Sequence, residues 1–319
     1  MKISGFTIGK NVSKLYYPVK ESISSILPIV DEFIVLLGDS DTDDITRQEI
    51  LNIGSDKIKI FDSVWDIEKY SSGTELAHQT DIAKKYCSGD WLFYIQADEV
   101  VHEKHLPVIK KCCEDYLYDS EVEGILFNYL HFWGDYNHYQ ASHGWYKKEI
   151  RIIKNDPDIH SWRDAQSFRR IPDFDGLHYM QKTNTYKLKV VDSGCNIFHY
   201  GWVRPPSLLK VRLKSFFSLF IGKDGVEKQL QQNPGFLNFD YGPLNKLAVF
   251  KNTHPKVMEN WIAKLNWQND LQLSGKPNKN RRLHKHELFR YRFVTFIEML
   301  IGTPIWEFEN YIILKRKKR

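Results

Sequence analysis

The residues best placed to do chemistry follow a strongly apolar stretch, the segment 91–100 (WLFYIQADEV). Such a stretch is typical of a strand buried in a parallel sheet, and here it ends in the acidic pair Asp98 and Glu99. In open α/β sheets, ligands bind just beyond the carboxyl ends of the strands. We therefore expect the Asp98 carboxylate to face a ligand or a metal ion. Because neighbouring strand residues point to opposite faces, we expect Glu99 to be a structural partner instead.

Two earlier predicted strands also end in carboxylates. The strand 32–37 (EFIVLL) runs into an acidic loop that contains Asp39 and Asp41, and the strand 57–61 is followed by Asp62. One acidic loop alone would be a solvated turn or a helix cap. Three such ends at one edge of a single sheet predict a convergent site that binds a cation.

The first 123 residues alternate between predicted strands and predicted helices, which indicates βαβ units. The strands are 2–8, 32–37, 57–61 and the segment from 91, and the helices are 19–27, 46–53, 74–87 and 104–116. Farther along, strands are predicted at 124–133, 150–154 and 186–191, with an aromatic loop at 134–148. Helical patterns then dominate, at 208–221, 256–267 and 287–301. The pair Pro205 and Pro206 marks the predicted domain boundary.

Composition limits the class of protein. The chain has 319 residues, of which 42% are hydrophobic and 27% charged, so it is globular and not disordered. A net charge of +5 is too small to indicate a nucleic-acid partner, and the internal basic segment 281–286 fits a solvated helix edge better. The four cysteines form no C-x-x-C pair and are expected to be reduced thiols.

Location is also an expectation at this stage. We find neither a signal peptide nor an apolar run of about 20 residues, and we expect a cytoplasmic protein. The basic tail 315–319 follows the aromatic, apolar segment 305–314. It is either a solvated tail or a peripheral contact with the inner face of an anionic membrane.

The order of these features resembles glycosyltransferase family 2. The resemblance rests on the acidic loop 38–46 (GDSDTDDIT), on the strand that ends in Asp62, and on the segment 89–99 (GDWLFYIQADE). The last segment is similar to the family signature G-D-W-(apolar)-D-A-D-E, with Gln96 in place of the first acid. The resemblance covers about the first hundred residues firmly and extends more loosely to about residue 204.

The resemblance implies an α/β fold of the GT-A type, a mainly parallel, Rossmann-like sheet flanked by helices, with a C-terminal helical extension. Residues 1–204 would form the nucleotide-sugar-binding and catalytic domain, with a donor half at about 1–123 and an acceptor half at about 124–204. Residues 205–319 would form a helical region with a basic tail.

The resemblance also implies roles for individual residues in an inverting hexosyl transfer. Asp98 would bind a divalent metal ion, Mn²⁺ or Mg²⁺, that neutralises the diphosphate of the nucleotide-sugar donor. Gln96 would hydrogen-bond a hydroxyl of the donor without adding charge. The resemblance places Asp39, Asp41 and Asp62 at the nucleotide.

The late segment 196–202 (NIFHYGW) resembles an H-Y element of the family, in which a histidine completes the metal or diphosphate site. His199 would take that role, or it is a core histidine. Arg204 and Lys210 would hold the diphosphate, or they are surface charges.

The acceptor side is less specific. Family members invert the anomeric centre in a single displacement, so a general base is expected and an enzyme nucleophile is not. Asp164 is the predicted base, and Glu149, Asp173 and Asp175 are the alternatives. The acceptor would be a glycan or a lipid-linked molecule. An aromatic wall that binds it, or else simply core, is formed by Trp133, Trp145 and Trp162.

Other classes fit the sequence less well. A glycoside hydrolase needs two carboxylates roughly 5–9.5 Å apart on different elements, whereas Asp98 and Glu99 are neighbours. A sugar-nucleotide pyrophosphorylase needs a glycine-rich basic loop after the first strand, and the segment 8–12 offers only Gly9. A non-catalytic sugar- or nucleotide-binding protein of the same fold remains an alternative because of Gln96.

Overall fold

The computed structural model describes residues 1–278, 280–303, 305 and 308–315. Its strands are β1 (Ile3–Gly9), β2 (Glu32–Leu37), β3 (Ile58–Asp62), β4 (Trp91–Tyr94), β5 (Glu99–Val101), β6 (Gly124–Trp133), β7 (His138–Gln140), β8 (Lys148–Lys154), β9 (Ile159–Trp162), β10 (Ser167–Arg170), β11 (Tyr186–Trp202), β12 (Ala248–Val249) and β13 (Tyr311–Ile313). Its helices are α1 (Val19–Ile26), α2 (Thr46–Leu51), α3 (Thr74–Lys85), α4 (Leu106–Asp115), α5 (Pro206–Gln232), α6 (Glu259–Ile262) and α7 (Phe289–Ile301).

The first part of the sheet is parallel, in the order β3-β2-β1-β4. Gly9 at the end of β1 pairs with Leu37 at the end of β2, and Leu37 pairs with Asp62 at the end of β3. These three strands therefore end level with one another. The loops after β1 and β2 open at this carboxyl edge, where the predicted acidic residues were expected.

The second part of the sheet is mixed. Strand β8 runs antiparallel to both β4 and β6, and β6 runs parallel to the long strand β11. The short strand β5 pairs antiparallel with β11, in a register that places Glu99 opposite His199. This pairing brings the acidic pair, early in the chain, beside the late histidine.

Side chains from the two faces of the sheet form separate apolar cores. Ile3, Ile23 of α1 and Ile109 of α4 are buried in the core on one face. Phe6, Ala83 of α3 and Phe168 of β10 are buried in the core on the other. Successive strand residues point to opposite faces, so a run such as β2, covered on both sides, is apolar from Phe33 to Leu37.

The predicted α/β class is confirmed: the sheet is parallel in its first part, is flanked by helices and is followed by a C-terminal region that contains α5, α6 and α7. The predicted domain boundary falls between β11 and α5. The helix predicted over 256–267 is wrong, because this segment forms a 3₁₀ turn at Lys256–Met258 and the single turn α6. Its large side chains, Met258, Trp261 and Trp267, are buried in a third, aromatic core at spacings that one helix face does not provide.

The segment 305–314 contributes β13, which pairs in parallel with β11. The predicted tail falls mostly outside the described residues, since Trp306, Glu307 and the segment 316–319 are among those not described. Within the described part of the chain, no helix has the length and apolar character needed to cross a bilayer. The cytoplasmic location stays a prediction.

Candidate active site

A cleft of about 800 Å³ opens at the carboxyl edge of β1, β2 and β4 and is closed on the far side by α5. Seven of the ten residues that the sequence singled out line it: Asp39, Asp41, Gln96, Asp98, Trp145, Asp164 and His199. Three do not: Asp62, Trp133 and Trp162. The predicted donor residues thus largely converge, and the seven cleft residues come from five separate segments of the chain.

The turn that carries Asp98 is fixed by its neighbour Glu99. The Glu99 carboxylate is fully buried and accepts two hydrogen bonds from Arg151, at 2.8 and 2.7 Å, and one from the Tyr129 hydroxyl at 2.7 Å. It also accepts the backbone N–H of Gln96 at 3.1 Å. Glu99 is therefore a structural partner, as expected, and it holds the turn from which Asp98 faces the cleft.

Asp98 and His199 meet inside the cleft. The Asp98 Oδ2 atom lies 3.5 Å from His199 Nε2. A Cβ atom on Gly201 would overlap both groups, so a glycine at this position leaves the space in which they converge. Burial, followed by the nearby charge of Glu99, raises the pKa of Asp98 to about 6. The Asp98 carboxylate is thus a poorly solvated anion that a positive charge would stabilise.

The hydrogen bonds behind His199 determine which of its nitrogens faces Asp98. His131 Nε2 lies 2.9 Å from the carbonyl oxygen of Tyr146, which only accepts, so this nitrogen carries a proton. Burial keeps the pKa of His131 well below its ordinary value, so the ring is neutral and its Nδ1 is an acceptor. His199 Nδ1 lies 3.2 Å from that acceptor and donates to it.

Burial also lowers the pKa of His199, to about 4, so this ring is neutral as well. With its proton on Nδ1, His199 directs the lone pair of Nε2 toward Asp98. A carboxylate oxygen and a ring lone pair then face each other across 3.5 Å. Two hydrogen-bond acceptors that face each other in this way can bind one cation between them.

The pair alone does not complete a coordination shell. Among the described residues, no group of three or more His, Cys, Asp or Glu side chains is arranged to hold a metal ion. Mg²⁺ is commonly held by one or two carboxylates, with substrate phosphates and water as the other ligands. Asp98 and His199 therefore fit a metal that arrives with, or is completed by, a phosphate-bearing ligand.

Arg212 of α5 supplies positive charge to the same cleft. Its exposed fraction is only 7%. Its guanidinium lies over the rings of Trp202 and Phe216, at 4.3 and 4.9 Å from their centroids. Its Nε and Nη1 atoms are buried without a hydrogen-bond partner among the described residues. A buried guanidinium with unused donors is costly unless an anion completes it.

The two basic residues expected to hold the diphosphate lie elsewhere. Arg204 is fully buried, stacks over Tyr17 and donates to the carbonyl oxygens of Leu15 and Gly201, so it stabilises the packing beneath the cleft. Lys210 is exposed and does not line the cleft. Neither residue is placed to contact a ligand in the cleft, and Arg212 is.

The loops after β1 and β2 form the other end of the cleft. Asp39 pairs with Lys10 at 2.7 Å and accepts the backbone N–H of Trp65 at 2.9 Å. Asp41 pairs with Lys14 at 2.7 Å. Trp65 lines the cleft with its ring packed so closely on Gly38 that any larger residue there would overlap it. The indole provides an apolar face beside hydrogen-bonding groups.

Asp62 lies apart from these residues. Its side chain is largely exposed and is ion-paired with Arg47 of α2. The level ends of β2 and β3 do not bring it into the cleft, because its carboxylate turns to α2 instead. The structure thus places Asp62 outside the cleft in which it was expected to contact the nucleotide.

Gln96 and Asp164 lie on the floor of the cleft. The Gln96 amide donates to the carbonyl oxygen of Ala165 at 3.2 Å, which links the end of β4 to the turn between β9 and β10. In that turn, Arg163 and Ala165 both have positive φ, at 57° and 59°. Side chains other than glycine rarely adopt this conformation, and it turns Asp164 toward the cleft. Burial raises the pKa of Asp164.

The alternatives to Asp164 lie outside the cleft lining. Glu149 is buried behind it and accepts a hydrogen bond from Gln166 at 2.8 Å, and burial raises its pKa to about 7. Asp173 and Asp175 belong to the loop between β10 and β11, where Asp175 accepts the backbone N–H groups of Leu177 and His178 and contacts the His178 ring. Only Asp164 among the four lines the cleft.

The three tryptophans expected in one wall are separated. Trp145 lines the cleft. Trp133 is buried in the aromatic core, where its indole N–H donates to the carbonyl oxygen of Tyr241 at 2.9 Å. Trp162 is buried beneath Arg169, whose guanidinium lies 5.0 Å from its ring centroid.

Comparison with known proteins identifies no family for this chain: no protein-family model matches it, and neither does any curated protein. Solved structures similar to it include glucosyl-3-phosphoglycerate synthase from Mycobacterium tuberculosis in complex with Mn²⁺, uridine diphosphate and phosphoglyceric acid. That match has 20% identity and a TM-score of 0.29, and it covers 40% of this chain and 43% of the synthase. The match therefore spans less than half the length of that protein.

Staphylococcus aureus TarS is a second structural match, with 13% identity, 73% of this chain and 42% of that chain covered, and a TM-score of 0.39. Its fragment 1–349 matches with 14% identity, 74% of each chain covered and a TM-score of 0.37. At these values, no activity, substrate or partner follows for this chain from the likeness.

Proposed function

We propose that this protein is an inverting glycosyltransferase that moves a hexose from a nucleotide diphosphate sugar to a hydroxyl group of a glycan or lipid-linked acceptor, assisted by a divalent metal ion. One observation carries the proposal. In a single cleft, the Asp98 carboxylate faces the lone pair of His199 Nε2, and the buried Arg212 guanidinium offers unused donors. A cation site next to an anion site is what a metal-bound diphosphate requires.

The residues would divide the donor between them. Asp98 and His199 would hold Mn²⁺ or Mg²⁺, whose chemistry there is to neutralise the charge that develops on the leaving diphosphate. Arg212 would donate to diphosphate oxygens, a task for which the planar guanidinium is suited. At the other end of the cleft, Trp65 would contact the base, and Asp39, Asp41 and Gln96 would accept or donate hydrogen bonds to the nucleoside.

The acceptor would enter beside Asp164 and Trp145. Asp164 would take the proton of the attacking hydroxyl, and the pKa raised by burial makes its carboxylate a stronger base than a solvated one. Trp145 would provide an apolar face for a sugar ring. Attack from this side and departure of the diphosphate on the opposite side invert the anomeric centre.

The test is a turnover assay on the purified full-length chain. Sugars of UDP, GDP and dTDP are incubated with Mn²⁺, and release of the nucleoside diphosphate is measured with and without mixed acceptors. We expect one nucleotide to be released in a reaction that EDTA stops and Mn²⁺ restores. Binding of a nucleotide sugar without release under any condition would favour the alternative, a non-catalytic protein of the same fold. No binding at all would contradict both.

A further inference from the structure

Helix α7 is packed with its polar side inward. Its only buried residue is Glu298. The face opposite Glu298 carries Phe289, Phe293, Phe296 and Leu300, which are 54–78% exposed. At 100° per residue, these four side chains fall within about 60° of one another, so they form one continuous apolar strip. An ordinary surface helix has the reverse arrangement, with its apolar face toward the core.

The polar side is well fixed to the rest of the protein. The Glu298 carboxylate accepts hydrogen bonds from His143 Nδ1 at 2.8 Å, from Lys147 Nζ at 3.1 Å and from the backbone N–H of Ile305 at 2.9 Å. The Thr295 hydroxyl accepts the backbone N–H of His143 at 2.8 Å. The helix is therefore held in place by specific contacts, and its outward apolar strip is a consequence of that docking.

The exposed charges of the segment 280–303, which carries the strip, are of one sign. Arg290 and Arg292 are exposed and flank it on its two sides, about 80° from its centre. Arg282 and Lys285 are exposed just before the helix. The two acids of the segment 280–303, Glu287 and Glu298, are buried and paired with Arg281 and His143. The exposed charge of this segment is therefore entirely basic.

We propose that the α7 strip (Phe289, Phe293, Phe296 and Leu300) docks on an anionic lipid surface, with Arg290 and Arg292 contacting the headgroups. An apolar face of Phe and Leu bordered by arginines is the pattern of a helix that lies in a membrane interface. Isologous pairing of two copies through the strip would bring like charges together, whereas an anionic surface compensates them. This proposal stands independently of the proposed reaction.

Docking through α7 would place the lipid surface ~10 Å, one helix diameter, from a segment that lines the cleft. The segment 143–147, which binds α7 through His143 and Lys147, also carries Trp145 and Tyr146 of the cleft lining.

The test is flotation of the full-length protein with vesicles of phosphatidylcholine alone or with 30% phosphatidylglycerol added. We expect wild-type protein to float mainly with the anionic vesicles. Phe293→Asp combined with Leu300→Asp should lower the vesicle partition coefficient on the order of 100-fold, since two large apolar side chains no longer enter the interface. Arg290→Glu combined with Arg292→Glu should lower it on the order of tenfold and only on anionic vesicles.

The matched control is Tyr118→Asp combined with Leu273→Asp, which changes two exposed apolar residues outside α7. It should float like wild type, and the unfolding midpoints of all variants should agree within a few degrees. Absence of wild-type flotation would overturn the proposal, as would flotation of the α7 variants equal to wild type. A dimer in size-exclusion chromatography that the Phe293 and Leu300 changes dissociate, without vesicle binding, would assign the strip to a second copy and also overturn it.

Discussion

His131 Nδ1 lies 3.2 Å from His199 Nδ1, and this contact makes His199 present a lone pair to Asp98. Because His131 donates through its other nitrogen to the Tyr146 carbonyl, its Nδ1 accepts. His131, which is buried in β6 and does not line the cleft, therefore determines which nitrogen of His199, a proposed metal ligand, carries the proton. Partners of this kind tune metal affinity in other proteins.

Replacing His131 tests that relationship. We expect His131→Phe to weaken binding of Mn²⁺ in the presence of nucleotide by about 10–100-fold, because His199 loses the acceptor that fixes its ring. His131→Gln, whose amide oxygen accepts a hydrogen bond, should restore part of the loss. The Mn²⁺ affinity of each variant is measured by titration followed by electron paramagnetic resonance.

The control for His131 is His254→Gln. His254 is a histidine that also contacts a backbone carbonyl, that of Tyr136 at 2.9 Å, but it does not line the cleft. Its replacement should leave Mn²⁺ affinity unchanged. Equal loss in the two variants would mean that any damage to the packing around β6 and β11 weakens the site, and the specific role of His131 would be wrong.

Arg212 should recognise the diphosphate and not the nucleoside. We expect Arg212→Met to weaken nucleoside diphosphate binding roughly 10–100-fold, since it removes hydrogen bonds to a charged partner, and to leave binding of the free nucleoside unchanged. Arg212→Lys should recover little of the loss, because a lysine has no planar fork. Calorimetric titration of both ligands separates the two effects.

Arg47→Met is the matched control for Arg212. Arg47 is an exposed arginine whose partner is Asp62, outside the cleft. The Arg47→Met variant should bind the nucleoside diphosphate as tightly as wild type does. If Arg47→Met weakens nucleotide binding and Arg212→Met does not, the nucleotide lies nearer to Asp62, as the sequence first indicated.

Asp164 should act on the acceptor alone. We expect Asp164→Asn to lower kcat by about 10²–10⁴-fold, the usual contribution of a general base, with donor affinity unchanged. Glu149→Gln, which changes a buried carboxyl group behind the cleft, should retain most of the activity. Steady-state kinetics with saturating donor measures both. The reverse pattern would make Glu149 the base.

Glu149 should instead make stability depend on pH. Burial raises its pKa to about 7 in the folded protein, above the ordinary value of 4.5. The folded state therefore binds the Glu149 proton more tightly than the unfolded state does. The stabilisation that this proton gives to the folded state is complete below about pH 4.5 and is lost as the pH rises through 7. A shift of this size corresponds to at most on the order of 3 kcal/mol of unfolding free energy. Denaturant unfolding between pH 4.5 and 7.5 should show this decline in wild type, relative to Glu149→Gln.

The sequence was most informative where local pattern and topology agree. Strand β4 is an uninterrupted apolar run and Asp98 lies in the turn that follows it, so both the burial of β4 and the position of Asp98 follow from that pattern. The contact between Asp98 and His199 depends on the pairing of β5 with β11, which joins residues a hundred positions apart. Only the family resemblance drew attention to His199.

Other site residues give no local signal. Arg212 lies in α5 among other basic residues, and only the packing of α5 over Trp202 shows that its guanidinium is buried. His131 is one polar residue in the apolar strand β6. The register of β6 with β11, which opposes His131 and His199, identifies it. Trp133 and Trp162 have the residue type of a sugar-binding wall, but burial assigns them to the core.

Helix α7 is a second case in which the sequence predicts an element but not its packing. Its period correctly predicted a helix over 287–301, but a periodic pattern does not say which face turns inward. That was decided by the contacts of Glu298 with His143 and Lys147.

The most direct test of the account is the binding of UDP, GDP and dTDP with and without Mn²⁺, measured by calorimetry on wild type, Asp98→Asn and the control Asp175→Asn. We predict that wild type and the control bind one of these nucleotides at least about tenfold more tightly with Mn²⁺, and that Asp98→Asn binds it with the same low affinity whether or not Mn²⁺ is present. An Asp98→Asn protein that keeps the full enhancement by Mn²⁺ would contradict the assignment of the metal site.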